Sequence, residues 1–237
     1  MSRRVVGVLG GMGPDATVDF FAKLVRATAA ERDQDHLRIV IDNDPSVPDR
    51  TAAIEGRGDS PAPRLAAMAR GLIAQGAEVL VMPCNAAHAF ADAVRAAAGG
   101  VPFLDLIATT VAATRARLPD VRAVGLLATD GALAARLYQD AFAAVGVRAV
   151  VPGADDQRAV MEAIYAVKRG TADDAVRARL RSVAERLVAA GAEALVAACT
   201  EIPLLMAEGD VRAQGAVVPF VSSTDELVLR TVAVATD

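Results

Sequence analysis

The chain has 237 residues, of which 54% are hydrophobic and 23% charged, and Lys+Arg 25 against Asp+Glu 29 leaves a formal net charge of −4. This is enough apolar material for one large domain or two small lobes, and it excludes low-hydrophobicity disorder and coiled-coil composition. A pI near 5.3, no basic run, no tryptophan and 3% aromatic residues leave neither an electrostatic nor a base-stacking footprint, so no nucleic-acid partner is expected.

In chain order, the apolar run Val5–Leu9 predicts a first strand. Glycines end that run too soon for a signal-peptide core or a membrane span, so a soluble cytoplasmic protein with no membrane partner is expected. Further short runs rich in Val, Ile and Leu predict strands near Leu37–Ile41, Glu78–Met82, Val101–Leu104, Ala123–Leu127, Val147–Val151, Ala194–Ala198 and Val217–Phe220. The longer stretches between them carry the three-and-four spacing of helices, the pattern of βα units around a parallel sheet. Two cysteines in a chain this long are not a disulfide scaffold, which agrees with a reducing compartment.

The chain also repeats itself. RLAAMARGLIAQGAEVLVMPC (Arg64–Cys84) resembles RLRSVAERLVAAGAEALVAAC (Arg179–Cys199) at one constant offset. Leu65, Met68 and Leu72 pair with Leu180, Val183 and Leu187 as one helix stripe, and Gly76-Ala77-Glu78 returns as Gly191-Ala192-Glu193, a helix stop leading into a strand. Outward from these, VVGVLGGMG (Val5–Gly13) parallels AVGLLATDG (Ala123–Gly131), and Val101-Pro102-Phe103 returns as Val218-Pro219-Phe220. The expected fold is therefore α/β: two pseudo-symmetric lobes, each a four-stranded parallel sheet flanked by helices. The first lobe spans 1–104, with a C-terminal helix over 222–237 packing on it, and the second spans 105–221.

Ligands of open α/β sheets sit beyond the carboxyl ends of the strands, and both cysteines, Cys84 and Cys199, follow a strand at matching places in the repeat. Either one taken singly reads as an inert core residue. Taken as a pair, they are expected to face one interlobe cleft. A thiol at a strand end that opens a helix meets backbone N–H groups and the positive end of the helix dipole, which favours thiolate. One thiolate and one thiol on opposite faces of a carbon acid would remove and return a proton with inversion, which is racemase chemistry. It requires no metal or organic cofactor, and the chain has only His36 and His88 and neither CxxC nor HExxH.

VLGGMGPDAT (Val8–Thr17), NDPSVPDRT (Asn43–Thr51), MPCNAAH (Met82–His88), GLLATDG (Gly125–Gly131), IYAVKRG (Ile164–Gly170) and CTEIPLL (Cys199–Leu205), in this order, resemble the aspartate/glutamate racemase family, specifically its aspartate racemase branch. The resemblance runs from the first strand to the last helix. It implies a homodimer of two-lobed subunits and PLP-independent racemisation of an acidic amino acid, with Cys84 and Cys199 as the catalytic pair. It also implies substrate contacts at Met12, Arg50, Asn85, Thr129, Lys168 and Thr200.

Read from the residues, Arg50 in the loop DPSVPDR offers a fork for a carboxylate or a solvated surface cation. Lys168 is one of only two lysines in a chain that otherwise uses arginine, so a compact ammonium is expected to matter there. Asn85 and Thr200 each follow a cysteine and either hold a carboxylate or cap a helix, and Thr129 is similarly placed. Glu201, one residue beyond Thr200, reads as orienting either the helix, as a dipole residue, or the site, with the dipole role preferred. His88, one helical turn beyond Cys84, either polarises the thiolate or is a satisfied interior histidine, and it stays outside the catalytic pair.

The chain departs from the family pattern at Ala86, where a carboxylate-binding threonine is usual, at Ala132, at Ala198, and at Asp105 and Ser222, which end the fourth strands where His and Asp are more common. These positions bear on substrate identity more than on chemistry at Cα. Three rival readings stand beside the resemblance. Gly11-Met12-Gly13-Pro14-Asp15-Ala16 formally fits a dinucleotide fingerprint, although no acidic residue is cleanly placed for a ribose. A cysteine racemase or isomerase of another small acid, such as maleate or a hydantoin, is the second. A non-catalytic amino-acid-binding relative is the third.

Overall fold

The computed structural model describes residues 3–237. The chain divides into two compact units, one formed by residues up to Thr109 together with Thr224–Asp237, the other by Thr110–Ser223. The first contains β1 (Val6–Gly10), α1 (Pro14–Ala27), β2 (Ile39–Asn43), α2 (Arg50–Ile54), α3 (Ala62–Ala74), β3 (Val79–Val81), α4 (Ala91–Ala97) and β4 (Phe103–Leu104). Helix α5 (Leu106–Arg117) leads into the second unit, which contains β5 (Ala123–Ala128), α6 (Asp130–Ala134), α7 (Leu137–Ala143), β6 (Arg148–Val150), α8 (Ala154–Lys168), α9 (Asp174–Ala189), β7 (Ala194–Ala198), β8 (Arg212–Ala213), β9 (Ala216–Val217) and β10 (Phe220–Ser222). Helix α10 (Ser223–Thr236) then rejoins the first unit, where Lys23 of α1 pairs with Asp225 at 2.8 Å and Ala235 accepts from Arg4 N at 2.9 Å.

Each unit carries a four-stranded parallel sheet flanked by helices, in the orders β2-β1-β3-β4 and β10-β7-β5-β6. Read from the other edge, the second order is the first one again. In both, the first strand of the repeat lies between the second and third, so the chain reverses direction across the sheet after its second strand. The central strands β1 (VGVLG) and β5 (AVGLLA) are buried throughout, which is why they read as continuous apolar runs rather than alternating ones.

The repeat extends to individual contacts. A methyl group added at Gly7 would meet Ala77 Cβ at 2.7 Å and Leu80 Cδ2 at 2.9 Å, and one added at Gly125 would meet Leu195 Cδ2 at 2.9 Å and Ala192 Cβ at 3.2 Å. Glycine at these strand positions lets α3 and α9 pack directly on their sheets. Gly76 and Gly191 end the two helices at φ +95° and +94°. Glu78 Oε2 then accepts from Val5 N, and Glu193 Oε2 from Arg122 N, each at 2.8 Å, tying each third strand to the start of its neighbour. Leu65, Met68 and Leu72 of α3 and Leu180, Val183 and Leu187 of α9 are all buried, each contributing about 1.5–3 kcal/mol of apolar burial.

Most strand boundaries differ from the sequence reading by one or two residues, β4 for example starting at Phe103 rather than Val101. Strand β2 starts at Ile39 rather than Leu37. The last sheet strand is Phe220–Ser222 rather than Val217–Phe220, because Val217 belongs to an antiparallel hairpin with Arg212–Ala213. Gln214 (φ +51°) and Gly215 (φ +84°) form its two-residue turn, both in the left-handed region that primed hairpin turns need. No helix among the described residues is long and apolar enough to cross a membrane.

Candidate active site

In the first unit, Met82 and Pro83 carry the chain from β3 to Cys84, whose N–H donates to Met82 O at 2.8 Å. Cys84 belongs to the same buried apolar cluster as Met12 of the β1–α1 turn, Val47 of the Pro-rich loop and Met82. Asn85 is buried beside it but makes no side-chain cap to the following turn, so the capping reading of Asn85 is not met. That turn, Ala86–Phe90, is a 3-10 segment and not the α-helix expected after the cysteine.

Arg50 opens α2, which Asp49 caps by accepting from Ala52 N at 2.7 Å. Its Nη1 donates to Val47 O and Pro48 O, both at 3.1 Å, folding the guanidinium back over the loop that packs near Cys84. A guanidinium has five N–H donors, so pinning one nitrogen orients the fork without exhausting it.

His88 is the satisfied interior histidine. Its Nδ1 lies 2.9 Å from Cys84 O and its Nε2 accepts from Leu106 N at 3.0 Å, which assigns the neutral tautomer with the proton on Nδ1. Burial pushes its pKa below the usual histidine value, and the ring stacks on Phe103 at 5.6 Å. It fixes the backbone of Cys84 against the start of α5. Asp105 has a structural role as well, pairing with Arg95 and accepting from Ala108 N at 2.9 Å to cap α5.

The second unit is built differently. Cys199 directly follows β7, and because Ala128 pairs with Ala198 in the sheet, Thr129 and Cys199 emerge side by side at its carboxyl edge. Thr129 caps α6 by accepting from Ala132 N at 3.2 Å. Cys199 Sγ donates to Glu201 Oε2 at 3.0 Å, and Thr200 Oγ1 donates to the same oxygen at 3.2 Å, so Thr200 is not a helix cap. Lys168, the last residue of α8, places Nζ 3.6 Å from Glu201 Oε1. Glu201 is only 3% exposed, whereas the Lys168 side chain is 31% exposed. Ser222 ends β10 as a buried residue.

Two expectations about Cys199 are corrected here. The segment after it, Ile202–Leu204, is a single 3-10 turn, so no α-helix dipole stabilises a thiolate. Its thiol is pushed well above the usual cysteine value, first by burial and then by the Glu201 carboxylate, with Lys168 acting in the opposite direction. Glu201 therefore meets the Cys199 thiol and the Lys168 ammonium, which fits its site-orienting reading and not the preferred helix-dipole one. Its adjacency to Thr200 and Cys199 was the available signal.

In the β1–α1 turn, the first amide of the glycine pattern is already engaged within the turn. Gly11 N donates to Thr17 Oγ1 at 2.9 Å, and the space a side chain at Gly11 (φ +89°) would take is filled by the Asp44 backbone at 2.4 Å. The glycine pattern there serves a close approach between β1 and the β2 loop. Among the described residues, no group of three or more His, Cys, Asp or Glu is placed to hold a metal ion.

A family model described as Asp/Glu/Hydantoin racemase matches residues 9–231. A glutamate racemase from Beutenbergia cavernae is 34% identical over 163 residues, which cover 67% of this chain and 53% of that protein, so the match spans about half the length of that relative. Among solved structures, an aspartate racemase from Picrophilus torridus superposes with a TM-score of 0.85 at 30% identity, covering 98% of this chain and 94% of that one. An aspartate racemase homologue from Pyrococcus horikoshii gives 0.77 at 21% identity, covering 99% and 100%, a likeness of fold.

Proposed function

The chain belongs to the Asp/Glu/Hydantoin racemase family, and from that premise we propose that it is an amino-acid racemase, an isomerase working without PLP, that interconverts L- and D-aspartate through Cys84 and Cys199. The observation that carries this reading is the matched placement of the two thiols: each is buried just beyond the third strand of its own β2-β1-β3-β4-type sheet. In the proposed reaction one cysteine, as thiolate, takes the α-proton from one face of Cα while the other, as thiol, delivers a proton to the opposite face. Protons balance, because each turnover moves one onto the first sulfur and one off the second.

Arg50 and Lys168 are proposed to receive the two carboxylates, with Met12, Asn85, Thr129 and Thr200 lining the substrate. A fork-shaped cation and a point cation suit a dicarboxylate, which favours an acidic amino acid over a hydantoin. Aspartate is favoured over glutamate because the 30% identical aspartate racemase structure matches over nearly the whole of both chains, whereas the sequence match to the Beutenbergia cavernae glutamate racemase covers about half of that relative. A homodimer in the cytoplasm completes the proposal, and light scattering of the purified protein tests its assembly.

The activity is tested by incubating each enantiomer of aspartate with the purified protein and separating the products on a chiral column. Conversion of both to a near-equal mixture without added PLP is expected. Failure to convert aspartate or glutamate, with another acid racemised instead, would transfer the proposal to that acid. Binding without any conversion would make the protein a non-catalytic relative.

A further inference from the structure

We infer that Glu201 is a positioning residue that keeps Cys199 as the thiol of the resting pair, with Lys168 as the counter-charge that opposes this hold. The inference rests on the two-thiol reading above and adds an order to it: Cys199 donates its proton while Cys84 receives the α-hydrogen in the first half of a cycle.

The argument begins with the hydrogen bond. A thiol that donates to a carboxylate at 3.0 Å is stabilised in its protonated form, because removing the proton would set two anions against one another. Glu201 is 3% exposed and the cysteine is equally buried, so water screens this repulsion little. The Oε2 that accepts from Cys199 also accepts from Thr200 Oγ1, which fixes the carboxylate in place, while Oε1 has no hydrogen bond among the described residues and lies 3.6 Å from the Lys168 ammonium. The cation is therefore close enough to oppose the carboxylate without taking it away from the thiol.

The other charged groups around this edge are otherwise engaged. Arg177 of α9 donates to Leu204 O and Leu205 O at 3.0 and 2.9 Å, and Asp130 on the turn after β5 accepts from Gln157 at 2.7 Å. In the first unit His88, four residues beyond Cys84, contacts that cysteine's carbonyl and not its sulfur. Thus the two halves match in scaffold and differ in what meets the thiol. After the first transfer Cys199 would be anionic beside Glu201 and Cys84 protonated; the repulsion favours return of a proton to Cys199, and the pair is reset once Cys84 releases to solvent the proton it took.

The chain holds two cysteines, so Cys84→Ala leaves Cys199 as its single thiol, and its ionisation can be followed by ultraviolet thiolate absorbance and by the rate of alkylation with iodoacetamide. In that background Glu201→Gln should lower the midpoint and raise the alkylation rate at neutral pH about tenfold, and Lys168→Met should raise the midpoint and slow alkylation by a similar factor. Opposite signs are the signature, since general loosening of the site would speed alkylation in both. An unchanged or raised midpoint in Glu201→Gln, or shifts of the same sign in the two variants, overturns the inference. Should Glu201→Gln not fold, Lys168→Met at its partly exposed position decides: no rise in the midpoint is then fatal. Both measurements are independent of turnover. Opposite shifts in a protein that racemises nothing would refute the two-thiol function alone, and absent shifts in an active racemase would refute this inference alone.

Discussion

The two sheet units use one plan for two different cysteine environments. Both cysteines belong to buried apolar clusters, and the histidine near Cys84 binds that cysteine's carbonyl. Around Cys199 there is charge as well, a buried carboxylate on the sulfur and an ammonium behind it. Strand order, strand-to-helix packing and the glutamate at the base of each third strand are the same in both. Features that hold a sheet together are repeated, and features that set a proton's position are not.

The strongest way to break this comparison is to remove one thiol at a time. Cys84→Ala and Cys199→Ala should each lower racemisation about 10²–10⁴-fold, measured by chiral chromatography. A cysteine whose removal leaves turnover intact would be a core residue only. Next in size is a matched pair in the scaffold: Leu65→Ala and Leu180→Ala, at fully buried and equivalent helix positions, should each cost about 2–5 kcal/mol in denaturant unfolding. A small cost at one alone would show that the two cores are not equivalent.

Lys168→Ala should raise KM for aspartate about tenfold to a hundredfold, and far less for alanine, because a charged hydrogen bond to the second carboxylate is lost. Equal effects on both substrates would remove Lys168 from carboxylate recognition. The smallest effect concerns pH. The folded protein holds His88 below its unfolded value of about 6.5, so its contribution to stability is present above that pH and lost as pH falls through 6.5 toward the folded value. Melting temperature should fall on acidification through this window, less steeply in His88→Asn. An identical slope in that variant would locate the sensitivity elsewhere.

Much of this was legible in the sequence, for identifiable reasons. Strands buried on both faces write themselves as apolar runs, and the repeat from Arg64 to Cys84 and from Arg179 to Cys199 carried both the helix stripe and the glycine stop. The rarity of lysine pointed to Lys168, which does sit in the charged cluster. What spacing could not give was the geometry after each cysteine. Helical spacing placed His88 under the Cys84 thiol, but a tighter 3-10 turn put the ring on the carbonyl instead. For the same reason the dipole reading of Glu201 was preferred to the site-orienting one, since its carboxylate reaches back to a residue two positions earlier across a turn that is not α-helical. The β8–β9 hairpin was hidden because Ala213-Gln214-Gly215-Ala216 has neither alternation nor an Asn-Gly turn.

The central claim is that two sulfurs address one carbon from opposite sides, and the fate of deuterium tests it most directly. One enantiomer of aspartate is incubated with the protein in D₂O, the reaction is stopped at low conversion, and the α-position of both enantiomers is read by mass spectrometry after chiral separation. The account predicts deuterium in the newly formed enantiomer and almost none in the recovered starting enantiomer. Deuterium appearing equally in both from the earliest times would mean that a single base serves both faces, and would contradict it.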